Sequence, residues 1–329
     1  MQAEPGGVVT MSVNDDKNRV GDQVLAELEA EGFRAALIPF SCIEEITRAY
    51  NEYVENENSP FLIKEWFHSG QPPDLPFTPL SFLVIAFQSP GGEMSLICDG
   101  KEIALPIPPT YLDGSATRLL NDVLANAVKD RQLAEVKAIS LKMLSVLSGL
   151  GKYGRNALCY LDGYGSFCNF AAYYTDIPCD NEPHELALMD DCESCGLCIA
   201  NCPNNALGGP LKVDAPRCLT LWNEHDGPMP DWLTPDVHHT VVGCMRCQEI
   251  CPVNKAAPKI RKEALKLSGT ETTTLMTSAA ADLPAELVKK LLDYDLWEMV
   301  TSLAGRNLAL AMNSVRMNGK VWDEPRYDA

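Results

Sequence analysis

The 329 residues carry 45 Asp+Glu against 27 Lys+Arg, a formal net charge of −18, with 46% hydrophobic and 22% charged residues. A chain of this length holds about two domains with a sizeable core, and its composition excludes a disordered polymer. No apolar run approaches the roughly 18 residues of a membrane span, and residues 1–18 show no apolar core of an export signal, so the expected location is the cytoplasm. Binding of phosphate backbones depends on clustered Lys and Arg. The acidic balance therefore argues against a nucleic-acid substrate.

In chain order, residues 21–32 read as an amphipathic helix with Val24, Leu25 and Leu28 on one face, and 43–53 as a second. A Pro-rich loop at 72–79 precedes a buried strand at 80–88. Residues 94–98 and 102–106 flank Asp99-Gly100, a dipeptide suited to a two-residue primed turn, and form a hairpin. Residues 116–128 and 136–147 read as helices. The run Ser148-Gly149-Leu150-Gly151-Lys152-Tyr153-Gly154-Arg155-Asn156 is a glycine-rich loop leading into a strand at 157–161. It fits neither a dinucleotide fingerprint nor a P-loop. One reading is a helix C-cap and turn in which glycine supplies a positive φ; the other is a backbone that closes on a ligand, with Arg155 and Asn156 as polar contacts. Residues 256–277 form a polar connector, and 284–313 one or two helices with Leu287, Leu291, Trp297, Val300 and Leu303 toward the core.

The cysteines carry the chemistry. Eleven of the 13 fall between Cys159 and Cys251. The run Cys192-Glu-Ser-Cys195-Gly-Leu-Cys198-Ile-Ala-Asn-Cys202-Pro203 has the spacing in which three thiolates hold one [4Fe–4S] cluster and the fourth crosses to another. Cys244-Met-Arg-Cys247-Gln-Glu-Ile-Cys251-Pro252 is the same motif without its first cysteine, and Cys218 supplies the missing ligand. Crossed ligation then puts Cys192, Cys195, Cys198 and Cys251 on one cubane, and Cys202, Cys218, Cys244 and Cys247 on the other. Structural zinc also uses C-x2-C pairs, but three cysteines two apart followed by Cys-Pro favour iron–sulfur. Cys159, Cys168 and Cys179 read as small core residues. His238-His239 reads as a surface or hydrogen-bonding pair.

The glycine loop, Gly165-Ser166-Phe167, Thr175-Asp176, Arg217-Cys218-Leu219-Thr220 and Gly243-Cys244-Met245-Arg246-Cys247-Gln248, together with the crossed cluster motif, resemble the epoxyqueuosine reductase family, and more distantly the reductive dehalogenases. The resemblance implies an α/β (α+β) fold. A nitroreductase-like cobalamin-binding domain (1–184) would be followed by a double [4Fe–4S] ferredoxin-like domain (185–258) and a C-terminal helical extension (259–329). It implies base-off cobalamin, contacted by Ser148, Gly149, Lys152, Gly154, Arg155 and Asn156. Electrons would come from an external donor such as a ferredoxin or flavodoxin and pass through the clusters to the corrinoid, and Glu135 stands where the family has its proton-donating Asp. Tyr111, Tyr160, Tyr173 and Tyr174 are further possible proton donors. Combined with the acidity, this gives an oxidoreductase acting on a small-molecule or corrinoid-linked substrate, with tRNA an unlikely partner. Two alternatives stand beside it: an epoxyqueuosine reductase acting on tRNA, and a non-catalytic cobalamin-binding or electron-transfer protein serving a corrinoid partner.

Overall fold

The computed structural model describes residues 13–54, 72–112, 114–137, 139–209, 212–257 and 260–318. Helix α1 (Val13–Ala30) leads into strand β1 (Arg34–Pro39) and α2 (Ile43–Val54). Strand β2 (Ser81–Gln88) is followed by the hairpin β3 (Gly92–Cys98) and β4 (Lys101–Ile107), then α3 (Gly114–Ala127) and β5 (Leu133–Glu135). Helix α4 (Leu141–Leu147) enters the glycine loop, which carries β6 (Lys152–Tyr153) and β7 (Cys159–Tyr160) and gives way to β8 (Cys168–Thr175).

The four-stranded sheet runs β1-β2-β8-β5 with every pair antiparallel, so the architecture is α+β. Strand β2 is buried from Ser81 to Phe87 because it is central and covered on both faces. Its side chains alternate. Leu83, Ile85 and Phe87 pack with Val24, Leu28, Leu120 and Leu124 of α1 and α3. Phe82 and Val84 pack with Leu144 and Leu147 of α4 on the opposite face. Each such aliphatic burial contributes roughly 1.5–3 kcal/mol.

The hairpin turns at Asp99 (φ 50°) and Gly100 (φ 75°), as the Asp-Gly dipeptide requires. Two expectations fail nearby. Residues 133–135 pair with β8 at the sheet edge, so the helix expected over 136–147 begins only at Leu141, capped by the Ser140 hydroxyl on the Met143 amide at 3.4 Å. The connector at 256–277 is instead ordered. A short strand, Leu265–Lys266, runs parallel to β3, and the helix Gly269–Thr277 starts at a capping box made by Ser268 and Glu271.

The cysteine module contains helices α5 (Leu197–Ala200), α6 (Leu219–Glu224), α7 (Arg246–Glu249) and α8 (Pro252–Ala256), with a small ribbon of β9 (Leu207–Gly209) and β10 (Lys212–Val213). After it come α9 (Gly269–Thr277), α10 (Ala285–Asp293) and α11 (Trp297–Asn318). The C-terminal helices do not hang free. Leu275, Leu287, Leu291, Leu303 and Leu308 are buried, and all but Leu303 share one core with Met94, Leu96, Leu105 and Ile107 of the hairpin. The side chains of Trp297 and Val300, expected on this face, lie outside the described residues. Among the described residues no helix is long and apolar enough to cross a membrane.

Candidate redox site at the cysteine module

The eight motif cysteines gather in two neighbouring groups. The Cys198 thiol lies within electrostatic reach of Cys192, Cys195 and Cys251, and Cys192 within reach of Cys251 and Cys195. Cys218 faces Cys202, Cys244 faces Cys247 and Cys218, and Cys247 faces Cys218, Cys198 and Cys202. Burial, then the neighbouring thiols, drives Cys244 well up and Cys247 to about 12. A buried thiol crowd of this kind is costly as thiolates unless iron neutralises it. Among the described residues no three His, Cys, Asp or Glu side chains close on the point of a single ion. A cubane with an iron at each of four corners spaces its thiolates more widely than a zinc ion does.

The first group lies near the surface, where Leu197 is exposed. Its segment is held by Arg155, whose guanidinium donates to the Cys192 carbonyl (2.7 and 2.9 Å) and the Glu193 carbonyl (2.8 Å). Asn156 Nδ2 donates to Tyr160 Oη at 3.0 Å, and the Tyr160 hydroxyl bonds the Cys251 thiol. Arg155 and Asn156, expected on a corrin, are thus engaged with the cysteine module. Ser148 Oγ donates to the Ser145 carbonyl at 2.9 Å, and Lys152 is an exposed partner of Asp190 at 3.9 Å. Gly149 has φ +76°, and a Cβ there would lie 2.5 Å from His184 Nε2. Gly154 packs against the Tyr160 ring. The C-cap reading accounts for Gly149, which follows α4 with a positive φ, while Gly154 answers to the close approach of Tyr160.

The motif Gly165-Ser166-Phe167 also has a physical reason. Ser166 accepts from Asn254 Nδ2 (2.8 Å) and donates to Gln248 Oε1 (3.0 Å), while its amide donates to Asn254 Oδ1 (2.8 Å). This buried network latches the sheet domain onto the second cysteine run. His238 and His239 are both buried, contrary to a surface reading. His239 Nδ1 bonds the Val237 carbonyl at 3.1 Å, and its Nε2 accepts from the Met245 amide at 3.2 Å. Both ring nitrogens of His238 are buried without a hydrogen-bond partner.

The second group lies within electrostatic reach of Lys142 and Tyr111 of the sheet domain, and both of these also face Glu224 of the module. Lys142 is accessible along its surface, yet its ammonium is ringed by protein. Enclosure lowers its pKa, and Cys159, Cys218, Glu224 and Cys247 oppose that shift. Opposite, Tyr111 Oη donates to Glu224 Oε1. Burial raises Glu224, partly offset by the Tyr111 hydrogen bond and Lys142, and burial together with Glu224 raises Tyr111 well above its ordinary value. The Tyr111 ring lies over Gly243, beside Cys244. Sequence reasoning counted Tyr111 among several tyrosines and missed Glu224 and Lys142. Glu135, by contrast, sits on the edge strand β5, largely exposed and 3.0 Å from Lys137.

Residues 191–254 match the model of a 4Fe-4S double cluster binding domain, which bears out the two-cluster reading. The chain is 30% identical over 140 residues to an epoxyqueuosine reductase of Bacillus subtilis (strain 168), covering 42% of this chain and 36% of the relative. It is 36% identical over 114 residues to one of Xanthomonas campestris, covering 34% and 31%. The matched stretch therefore spans about a third of these relatives' length. In fold, the Bacillus subtilis epoxyqueuosine reductase solved with its catalytic aspartate loop swung out of the active site superposes with a TM-score of 0.61 at 18% identity, covering 92% of this chain and 84% of that one. An epoxyqueuosine reductase solved with an epoxyqueuosine-modified tRNA-Tyr stem loop gives 0.60 at 20% identity, covering 90% and 82%.

These findings overturn two expectations, the small-molecule substrate and the exclusion of tRNA. The relatives are named for epoxyqueuosine reduction, and one structure of the same fold holds a tRNA stem loop. A net charge is a sum over the whole surface, whereas phosphate contacts depend on local clusters. Such a cluster exists in this sequence: Lys255, Lys259, Arg261, Lys262 and Lys266 fall within twelve residues that hold one acid, Glu263. Lys255, Arg261 and Lys266 are exposed. The chain is epoxyqueuosine-reductase-like, in sequence over about two fifths of its length and in fold over nearly all of it.

Proposed function

We propose that the protein is a cytoplasmic cobalamin-dependent reductase that reduces an epoxide on a modified nucleoside of tRNA. The observation that carries the reading is a cluster of side chains, in which Lys142 and Tyr111 of the sheet domain meet Glu224 and the thiols of Cys218 and Cys247 of the cysteine module. The likeness to epoxyqueuosine reductases supports the substrate class.

In this reading Cys192, Cys195, Cys198 and Cys251 hold an outer [4Fe–4S] cluster and Cys202, Cys218, Cys244 and Cys247 an inner one, as the crossed motif demands. Their grouping in space supports the assignment. Electrons enter from an external carrier at the exposed side of the outer group. A corrinoid bound beside the inner thiols would supply the reducing cobalt centre. The side chains there suit such a group, since the accessible Lys142, whose ammonium lies within electrostatic reach of Cys218 and Cys247, could meet an amide or phosphate substituent of a large cofactor.

Reducing an epoxide consumes two electrons and two protons. Protons must therefore reach this cluster, and the sheltered Tyr111–Glu224 pair holds one there. Glu224 keeps a raised pKa because it is buried, which suits a carboxyl that must give and regain a proton near neutrality. The exposed Lys255, Arg261 and Lys266 offer positive charge of the kind a tRNA backbone needs.

The test is anaerobic reconstitution followed by addition of hydroxocobalamin. Corrinoid retained on a desalting column, with a base-off Co(II) signal after reduction, is expected, together with restored queuosine formation in a strain lacking its own reductase. A protein that carries both clusters but neither retains corrinoid nor restores queuosine contradicts the reading.

A further inference from the structure

In the run Ala304-Gly305-Arg306-Asn307-Leu308, the side chains of Arg306 and Asn307 grip the peptide that carries the inner cysteines. Asn307 is fully buried on α11. Its Nδ2 donates to the carbonyl of Asn223 and to the carbonyl of Val241, each at 2.8 Å. Asn223 belongs to α6, the helix that begins directly after Cys218, and Val241 lies three residues before Cys244. One side-chain amide thus spans the two segments that deliver Cys218 and Cys244.

The grip is extended on both sides. Arg306 donates to the Trp222 carbonyl at 2.8 Å, to the Gly227 carbonyl, and to Asn307 Oδ1 at 3.0 Å. Asn223 Nδ2 donates to the Gly243 carbonyl at 2.9 Å, which also accepts from Thr240 at 2.9 Å. Gly305 lets α11 pack closely on α9, since a Cβ there would sit 2.9 Å from the Met276 carbonyl oxygen.

We propose that α11 is a positioning element for the inner cluster, with Asn307 setting the spacing of Cys218 and Cys244 so that their cubane assembles. The inference rests on the crossed ligand assignment proposed above. Cys192, Cys195 and Cys198 arrive on one stretch of chain and need no such bridge. Cys218 and Cys244 arrive on separate segments, and a cubane requires each thiolate to reach its own iron. Outer groups that orient ligand-bearing segments govern a metal site nearly as strongly as the ligands do. An amide suits the task because both carbonyls need a donor, and asparagine offers two N–H groups on a short side chain. An aspartate in its place would present oxygen to oxygen and leave both buried carbonyls unpaired.

The experiment uses the full chain, reconstituted anaerobically, with Asn307→Asp as the variant of equal size and Ser314→Ala as a control on the same helix. Asn307→Asp is expected to hold about half the iron and sulfide of the parent, and its reduced electron paramagnetic resonance spectrum to lose the broadening caused by two adjacent clusters. Ser314→Ala keeps full iron. Asn307→Ser, which retains a donor, is read in the same way if the aspartate variant fails to fold. Full iron and an unchanged spectrum in the Asn307 variant overturn the inference. So does loss of both clusters together in a variant whose circular dichroism is that of the parent. Cys218→Ser separates the two levels: if it loses one cluster while the Asn307 variant loses none, the clamp alone fails. If Cys218→Ser keeps both, the ligand assignment fails and takes the inference with it.

Discussion

The two cysteine groups are made from the same motif but are built differently. The outer group takes three of its four thiols from seven consecutive residues, Cys192 to Cys198, and lies close to solvent. The inner group collects Cys202, Cys218, Cys244 and Cys247 from three stretches of chain and lies within electrostatic reach of Lys142 and Tyr111, which face Glu224. The outer group is tied to the sheet domain through the Arg155 guanidinium on the Cys192 and Glu193 carbonyls and the Tyr160 hydroxyl on the Cys251 thiol. The inner group is surrounded by buried polar contacts from α11, from Asn223 and from His239. A local motif can make a cluster at the surface by spacing alone, whereas a cluster at a reaction site must be assembled by the tertiary fold.

The sharpest way to break this comparison is to neutralise the inner site's carboxyl. Glu224→Gln keeps an acceptor for Tyr111 but carries no transferable proton. It should lower turnover by about 10²–10⁴-fold, the span of a lost general acid or base. Because burial raises Glu224, its ionised form costs stability at neutral pH. The variant should therefore melt at a temperature equal to or above the parent's. Loss of activity and stability together would mean that Glu224 is an ordinary structural residue.

Acid should also strike the inner side. His238 is held neutral by burial, with its pKa lowered to about 4, while an unfolded histidine titrates near 6.5. The unfolded state then binds more protons below that value. Stability is fully present above about pH 6.5 and declines as pH falls toward about 4. At pH 5 the loss is about 2 kcal/mol, and His238→Phe should abolish that portion. Denaturant midpoints of the two proteins at pH 7 and pH 5 provide the check; parallel declines would contradict it.

The outer group should respond to loss of its guanidinium tie. Arg155→Ala removes charge-assisted bonds to the Cys192 and Glu193 carbonyls and should cost about 1–2 kcal/mol. It should also hasten bleaching of only the outer cluster in air, followed by visible absorbance against a Cys195→Ser variant that lacks it. The smallest effect is expected at Ala157, which holds φ 59° in the turn between β6 and β7. Glycine there should be neutral or stabilising by up to about 1 kcal/mol, since the left-handed strain relieved exceeds the added freedom of the unfolded chain. A lower melting temperature for Ala157→Gly would contradict that reading.

The outer group, the central strand and the Asp99-Gly100 hairpin were legible in the sequence, because each is specified by neighbours in the chain. The Glu224 carboxyl was not, since nothing local distinguishes it from 44 other acids until Tyr111 is folded against it. Arg155 and Asn156 stood out as polar side chains expected to contact a ligand, whereas the partners they have in the fold include groups of the cysteine module. Only tertiary packing brings Cys192 and Cys247 to them. The capping box at Ser268 and Glu271 was a readable signal for a helix in the stretch taken as a connector. The basic strip at 255–266 was also in plain view, hidden by a total of −18.

The most direct measurement loads the full chain anaerobically with both clusters and cobalamin, supplies a low-potential reductant and tRNA bearing epoxyqueuosine, and follows the nucleoside by mass spectrometry. The account predicts conversion of the epoxynucleoside to its reduced form, with Glu224→Gln slowed by about two to four powers of ten. An unchanged nucleoside from fully loaded protein would contradict it.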